Sequence, residues 1–468
     1  MSEKPYHAFS RRRKWCVVVM IGVAGMFSGL SSNIYSPALD AIAQVGISPL
    51  FWGSLSDTRG RRQIYIYSFM VYIIANIVLS FSPNFIVLVI FRALQAAGSA
   101  STVSIGNGVI QDITSPAERG GFMCFYQGTR SFSIAIGPVL GGLLANYFGF
   151  RSIFVFLTVL AGMVTIGIAL LLPETQRSIA GDGTVRLKGI HKPLVWTLTK
   201  EPPYLKDRDE PYQPPSITIK TFLSPLFFLK EKDVLLSLVF GGVVYAIWSM
   251  VTSSTTGIFK HTFHLNEIQL GLAFIPNGLG AIFGPFIIGK LTNTSFAEVE
   301  QTYKERHGLP DTHSISKETF PIDFPIEQAR LRHIRWVIPL FIISTLLYGF
   351  SVQFPSFTSR PGWIAVPLVL HFLIASTSNA VLAINSTLIS DLCPGKGASS
   401  TAINNLVRCS FGAIGVAFIE QLIAAVGGGT AFLGLALIAV VATPLVAVQW
   451  YCGSDWRRAR MDVQSEAK

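Results

Sequence analysis

The stretch PLFWGSLSDTRGRR, residues 49–62, is an apolar run that gives way to one acid and three arginines. A related stretch, PFIIGKLTN, occupies residues 285–293. When the two are aligned, proline, glycine and leucine recur at the same spacing, and Asp57 in the first corresponds to Asn293 in the second. Similarity at about half the chain length predicts that the chain consists of two related halves.

A second pair of segments has a similar separation and supports this repeat. Each segment contains an asparagine, an aspartate and a proline, and each leads into an apolar stretch with glycine. The matched residues are Asn107, Asp112 and Pro116 in the first half and Asn385, Asp391 and Pro394 in the second. Because two separate pairs agree, we expect equivalent helices in the two halves.

The composition is that of a membrane protein. Half of the 468 residues are hydrophobic, 13% are charged, and the mean hydropathy is +0.49. Uninterrupted apolar runs of about 18 to 25 residues recur, and each is long enough to cross ~30 Å of hydrocarbon as a helix. We therefore predict an all-α polytopic membrane protein. The five cysteines have neither the pattern of a disulfide framework nor that of a metal site.

The positions of the positive charges predict how the helices cross the membrane. The net charge is +11, and the 37 Lys and Arg residues are unevenly placed. If residues 11–14 lie in the cytoplasm and the chain then alternates sides, about 31 of these residues fall in cytoplasmic segments, as the positive-inside rule requires. Both termini are therefore expected in the cytoplasm, and no nucleic-acid partner is expected.

A polar segment separates the two halves. It contains several prolines and about ten basic residues, which is typical of a flexible cytoplasmic linker. The predicted organisation is a cytoplasmic N-terminus at 1–14, an N-terminal transmembrane bundle at 15–172, the linker at 173–233, a C-terminal transmembrane bundle at 234–451 and a cytoplasmic tail at 452–468.

The second span is shorter than a membrane crossing requires. Residues 11–14 and 59–62 both belong in the cytoplasm, so the chain must cross back between Gln44 and Asp57, where ~12 residues make only ~18 Å of helix. The equivalent interval of the second half is ~19 residues longer. We therefore predict two six-helix bundles with a truncated second span, roughly 11 or 12 spans in all; a short or re-entrant span is the alternative.

Several motifs resemble those of the major facilitator superfamily. The signature segment, residues 53–62, is similar to that family's loop motif between spans two and three, although Thr58 stands where the family usually has Arg. RALQAAG at 92–98 resembles a motif of span four, and SIAIGPVLGG at 133–142 resembles an antiporter motif of span five. The segments SSNIYSPAL, SPAERG, PETQR and NNLVRC are similar to those of fungal twelve-span drug:proton antiporters, the quinidine-resistance and dityrosine exporters.

The resemblance implies roles for residues in each motif. Arg92 would take part in proton coupling, and Asp112 is the candidate partner because no acid lies deeper in the first-half spans. The candidate residues are Gly53, Asp57, Gly60, Arg61 and Arg62 for the gating loop; Arg92 and Asp112 for proton coupling; Gly137, Pro138, Gly141 and Gly142 for the antiporter helix motif; and Gln127, Arg130, Asn404, Asn405 and Arg408 for the substrate cavity.

Some of these roles have alternatives that the residues leave open. An acid and arginines at helix ends can pair in one state of a transporter and separate in another, which makes Asp57 the predicted switch; membrane anchoring would explain the arginines but not Asp57. Arg130 either selects an anionic substrate or extends its guanidinium to the cytoplasm. Interhelical hydrogen bonding is the alternative for the two asparagines, Asn404 and Asn405.

The resemblance implies a major facilitator fold and proton-coupled export of small amphipathic organic compounds by alternating access. No GxSxG, HExxH or P-loop motif is present, so we expect neither an enzyme nor a cofactor or metal. The expected partners are a small-molecule substrate, protons and the lipid bilayer, and the expected form is a monomer in the plasma membrane, with the vacuolar membrane as the alternative. Uptake of a nutrient or metabolite, and a non-transporting product that lacks a complete second span, are rival functions.

The short second span yields a test at the level of the transcript. Messenger RNA read across the codons for residues 44–53 should contain an additional in-frame segment of ~19 apolar-rich residues, since that length restores a membrane crossing. A transcript that matches the present sequence would contradict the twelve-span topology and favour the non-transporting alternative.

Overall fold

The computed structural model describes residues 7–33, 47–187, 189–198, 202, 205–207, 224–309, 321, 323–393 and 396–466. Within these ranges the regular structure is helical, apart from one parallel bridge between Val185 and Lys206. The prediction of an all-α protein is confirmed. The apolar run that begins near Trp15 predicts a first span that continues to Ile42, and residues 34–42 lie outside the described residues.

Six helices form the first half. Side-chain capping starts one of them, since the Asn84 side chain accepts a hydrogen bond from Val87 N at 3.0 Å, and Pro173 follows the last one, where it prevents continuation. The helices are α1 Arg11–Asn33, α2 Ile47–Arg59, α3 Arg61–Ser80, α4 Phe85–Ile113, α5 Pro116–Phe148 and α6 Arg151–Leu171.

Six further long helices form the second half. A short helix, Glu267–Ala273, precedes α8 and begins with a capping box in which Asn266 and Gln269 bond each other's backbone. Phe274 separates this short helix from α8. The long helices are α7 Lys232–Phe263, α8 Ile275–Arg306, α9 Ile334–Gln353, α10 Ala365–Leu392, α11 Gly397–Val426 and α12 Gly428–Glu466.

Ten helices in the described part of the chain are long and apolar enough to cross a membrane. Helices α2 and α5 are not among them. The 13 described residues of α2 span only ~20 Å. Many large apolar side chains on the long helices are exposed, including Val441 at 77% and Ile86 at 70%, as expected of surfaces that face lipid. The chain is a multi-pass membrane protein. Helix α2 begins at Ile47, where the described residues resume, so the short second span stays a prediction.

The two halves meet through equivalent helices. Helix α2 packs against α11, and its repeat counterpart α8 packs against α5. A Cβ added at Gly53 of α2 would lie 3.0 Å from the carbonyl oxygen of Ala398, and one added at Gly289 of α8 would lie 2.6 Å from Cβ of Cys124. Both repeat glycines therefore allow close approach of a helix from the opposite half.

The linker differs from its prediction. Residues 173–233 were expected to be flexible, but Glu174, Thr175 and Ile179 are each no more than 2% exposed. Short helices at Arg177–Ala180 and Val195–Leu198 follow. The described start of the linker is therefore packed against the bundle, because its side chains satisfy helix termini there. Helix α12 continues past the predicted boundary at residue 451 to Glu466, so the described part of the predicted tail is helical.

The contact between α8 and α10 provides a test of packing. A Cβ at Gly284 would lie 1.9 Å from the carbonyl oxygen of Ser376, so Gly284→Ala must force the two helices apart. We expect a loss of ~1–3 kcal/mol of stability and a lower midpoint of thermal unfolding in detergent. Gly257→Ala, at a helical glycine with no atom within 4 Å of the added Cβ, is the control and should leave the midpoint at or slightly above the parent value, because alanine favours a helix more than glycine does. Equal midpoints for both variants would contradict this packing.

Candidate functional site

The signature segment forms a buried ionic cluster at one end of the bundle, called the signature end below. Arg61, at the start of α3, is 0% exposed. Its Nε donates to Asp112 Oδ2 at 2.8 Å, and its Nη1 donates to Ser56 Oγ at 3.0 Å and to Asp57. Asp112 is 2% exposed. A buried guanidinium is tolerated because two carboxylates surround it, so the three side chains depend on one another.

Asp57 also joins the two halves. Its Oδ2 accepts hydrogen bonds from Ser399 N at 2.9 Å and from the Ser399 hydroxyl. Ser399 lies in the first turn of α11, where backbone N–H groups have no partner within the helix and carry partial positive charge. One carboxylate therefore pairs with Arg61 in its own half and caps a helix of the other half.

Arg62 is placed as a helix cap. It is 2% exposed, and its guanidinium donates to the carbonyl oxygens of Ile168, Ala169 and Leu172 at 2.7 to 2.9 Å. These carbonyls lie at the C-terminal end of α6, where a cation is favourable; those of Ile168 and Ala169 also accept from Leu172 N and Leu194 N, each at 3.1 Å. Anchoring at the membrane surface alone therefore does not explain the buried position of Arg62.

The second half contributes a comparable ionic cluster to the signature end. Asp391 of α10 accepts from Arg330 Nε at 2.8 Å and pairs with Arg119, which lies in the first turn of α5 in the opposite half. Arg330 also donates to the carbonyl oxygen of Pro116 at 2.8 Å. Asn293 Oδ1 accepts from Gly121 N at 3.0 Å, which mirrors the contact of Asp57 with α11.

Two polar residues of α4 add further contacts between the halves. Gln111 Nε2 donates to the carbonyl oxygens of Ser390 at 2.7 Å and Cys393 at 3.0 Å. Asn107 Nδ2 lies 3.2 Å from Thr401 Oγ1. Together with the two ionic clusters, these bonds close the signature end.

Arg92 and Asp112 are not partners, so the pairing suggested from sequence is wrong. Both lie on α4, and 20 helical residues separate them by ~30 Å. Arg92 instead donates to Gln95 Oε1 at 2.7 Å and to the carbonyl oxygen of Ser31 at 3.2 Å. Gln95 in turn contacts Asn76 at 2.5 Å. Arg92 therefore belongs to a separate polar network inside the first half.

The antiporter motif lies within α5, which runs as one continuous helix through Pro138. Gly137 and Gly141 are buried, while the burial of Pro138 and Gly142 lies outside what the structure describes. Upstream, a Cβ at Gly29 of α1 would lie 1.9 Å from Oγ of Ser133, the residue in place of the motif's first glycine. Small residues therefore bring α1 and α5 close together.

Two arginines lie between the halves without a carboxylate. Arg130 of α5 and Arg408 of α11 are 14 and 11 residues from the starts of their helices, roughly 21 and 16 Å from the signature end. The Nε atom of each is buried without a hydrogen-bond partner. Arg130 is within electrostatic range of Arg408, and Cζ of Arg408 is 5.1 Å from the ring centre of Tyr245. Neither arginine forms an ion pair among the described residues.

The remaining cavity candidates, Gln127, Asn404 and Asn405, are polar and buried. Each lies within four residues of one of these arginines in the sequence. Gln127 is 6% exposed, and Asn405 is 5% exposed. Asn404 Nδ2 lies 3.5 Å from Ser386 Oγ, while its Oδ1 is buried without a partner. An unsatisfied amide oxygen and two guanidinium groups without an ion pair among the described residues lie in this region, and the two cations are suited to a negatively charged ligand.

Sequence reasoning missed four residues of the signature end: Arg119, Glu174, Arg330 and Ser399. The segments SPAERG and PETQR, which contain Arg119 and Glu174, were noted only for their family resemblance. The repeat did identify Asp391 as the counterpart of Asp112, but spacing does not reveal which arginine approaches it.

Comparisons with known proteins agree with this geometry. The family model described as Major Facilitator Superfamily matches residues 38–301. Citrate exporter 1 from Aspergillus niger is 44% identical and covers 98% of this chain and 90% of its own. Multidrug transporter QDR2 from Candida glabrata is 29% identical, with coverage of 94% and 81%.

The comparison with the citrate exporter also bears on chain length. It spans 479 aligned positions, more than the 468 residues of this chain, so the relative has residues without a counterpart here. A solved structure, the human organic anion transporter MFSD10, covers 95% of this chain with a TM-score of 0.59 at 16% identity, which supports the same fold. The chain therefore belongs to the Major Facilitator Superfamily.

Proposed function

We propose that this transporter exports organic acids with two or more carboxylates, and that Arg130 and Arg408 bind them. One arginine comes from each half, and both have a buried Nε atom without a partner. An unpaired arginine at mid-depth costs at least ~2.5 kcal/mol on insertion scales. A bound carboxylate offsets that cost through paired hydrogen bonds to the planar guanidinium.

The position of the two arginines fits alternating access. The two arginines lie on helices of opposite halves. A ligand bound to both therefore links the two halves and is affected when one half rocks against the other. The ionic clusters at the signature end close that side of the path. Release and re-formation of these clusters is the change that we expect during each transport cycle.

We place the signature end and both termini in the cytoplasm, because this assignment leaves most basic residues on that side. The plasma membrane is our preferred location, with the vacuolar membrane as the alternative. We also propose that export is coupled to protons and that the network around Arg92, Gln95 and Asn76 takes part, since it is buried and polar within a membrane-spanning half. A single chain provides both halves, so we expect it to act as a monomer.

A second candidate is proton-coupled efflux of amphipathic drugs or secondary metabolites. The similarity to the multidrug transporter favours it, as do the apolar and aromatic residues near the arginines, such as Phe125 and Phe286, whose ring centres are 5.4 Å apart. The two candidates differ in charge dependence, because an apolar drug has no need of Arg130 and Arg408. Citrate is the first organic acid to test, since a relative is named as its exporter.

Transport of labelled citrate by proteoliposomes tests the role of the two arginines. Arg130→Gln and Arg408→Gln should each lower the initial rate by ~10-fold or more, because loss of one charge-assisted contact of ~1.5–3 kcal/mol weakens substrate binding. Arg186→Gln, at an exposed arginine of the linker, is the matched control and should transport at the parent rate.

Several outcomes would decide against this proposal. If both cavity variants transport citrate at the parent rate, the arginines do not bind it. If the parent exports an uncharged drug but no organic acid, and the variants retain drug export, the second candidate is correct. If the parent transports neither class of compound, the non-transporting alternative is favoured.

A further inference from the structure

The segment PETQR, residues 173–177, does more than end α6. The Glu174 side chain is 0% exposed and faces the break between α2 and α3. Its Oε1 accepts from Arg61 N at 2.8 Å, and its Oε2 accepts from Arg62 N at 3.3 Å. A linker residue thus binds the first two amides of the helix that carries the buried arginine.

The Glu174 carboxylate has a complete set of donors. Besides those two amides, its Oε1 accepts from Thr175 N and Gln176 N, each at 3.0 Å. His191 Nδ1, also in the linker, lies 3.2 Å from Oε2. This saturation explains how a carboxylate can be buried at the signature end, since every donor compensates for lost water.

Helix α3 requires a cap from elsewhere in the chain. Its first N–H groups have no partner within the helix, and its N-cap residue, Gly60, has no side chain to provide one. Gly60 has φ of +107°, which favours glycine, and a Cβ there would lie 2.4 Å from Glu174 Oε2. The carboxylate occupies the position of a capping side chain, and its charge suits a helix N-terminus.

The same segment also holds the other side of the break. Gln176 Nε2 donates to the backbone carbonyl of Asp57 at 2.9 Å. Residues 174 and 176 therefore fix the last turn of α2 and the first turn of α3 relative to each other. Since Asp57 and Arg61 lie on opposite sides of this break, the linker sets the geometry of their ion pair.

We propose that Glu174 is a positioning residue of the gate: by capping α3 it holds Arg61 between Asp57 and Asp112 and so favours the state closed at the signature end. Glu174 makes no contact with Arg130 or Arg408, so it acts through Arg61. This inference rests on the gating part of the proposed function and is independent of the substrate.

Cys393 provides a reporter of gate opening that requires no substrate. It is 4% exposed, its carbonyl oxygen accepts the bond from Gln111, and burial raises the pKa of its thiol to about 12. The burial of the thiol and its raised pKa both slow alkylation by a maleimide while the signature end is closed. The experiment uses the full chain with the other four cysteines, Cys16, Cys124, Cys409 and Cys452, replaced by serine.

In this chain, Glu174→Ala and Glu174→Gln should each speed labelling of Cys393 by ~10-fold, equivalent to ~1.4 kcal/mol in the opening equilibrium. Asp207→Asn, at an exposed acid of the same linker, is the control and should label at the parent rate. A parallel chain carries Ser254→Cys as its only cysteine, in place of a 2% exposed serine on α7. Its labelling should remain slow in both Glu174 variants.

Two results would overturn the inference. In the first, Cys393 labels at the parent rate in both variants, so Glu174 does not affect the gate. In the second, Cys393 and the cysteine at position 254 speed up equally, so Glu174 only stabilises the fold. The labelling experiment does not depend on citrate transport by the Arg130 and Arg408 variants. The proposal about the gate and the proposal about the substrate can therefore fail separately.

Discussion

Arg61 is a fully buried guanidinium, and the closed signature end depends on the carboxylates that surround it. A charge buried without partners is strongly unfavourable, and removal of one partner from a buried pair typically costs ~3–5 kcal/mol. Asp57 and Asp112 meet this requirement from two different helices. Because the second oxygen of Asp57 caps α11, the ionic pairing of one half is tied to contact with the other.

The internal repeat gives this closure a near-symmetric form. Asp57 contacts the start of α11, and its counterpart Asn293 contacts the start of α5. The charges are not symmetric, because Asn293 is neutral. In the second cluster Asp391 joins the two halves by pairing with Arg119 and Arg330. Both clusters must separate for the signature end to open. A rocking motion can achieve this because the ion pair and the carboxylate hydrogen bonds described between the halves lie near helix ends, where small rotations break them together.

Much of the fold could be predicted from the sequence, because length and hydropathy are sufficient to identify helices that cross a membrane. The repeat also identified the glycines and acids that meet the opposite half. The residues that form each ion pair could not be predicted from the sequence. Asp112 was matched to Arg92, but the rise of the helix separates these two residues. Asp112 pairs with Arg61 instead. The described start of the linker differs from the prediction for a related reason, since polar composition suggests solvent exposure, whereas Glu174 is polar because it caps a helix.

The most direct test of this account is the distance between the halves at the signature end, measured by double electron–electron resonance. In a chain whose five native cysteines are replaced by serine, spin labels at Arg12→Cys and Ala297→Cys, both exposed, report on α1 and α8. We expect one short distance in the parent and an added longer distance in a chain that also carries Asp57→Asn and Asp391→Asn. The same single distance in both proteins would contradict the claim that these carboxylates hold the two halves together.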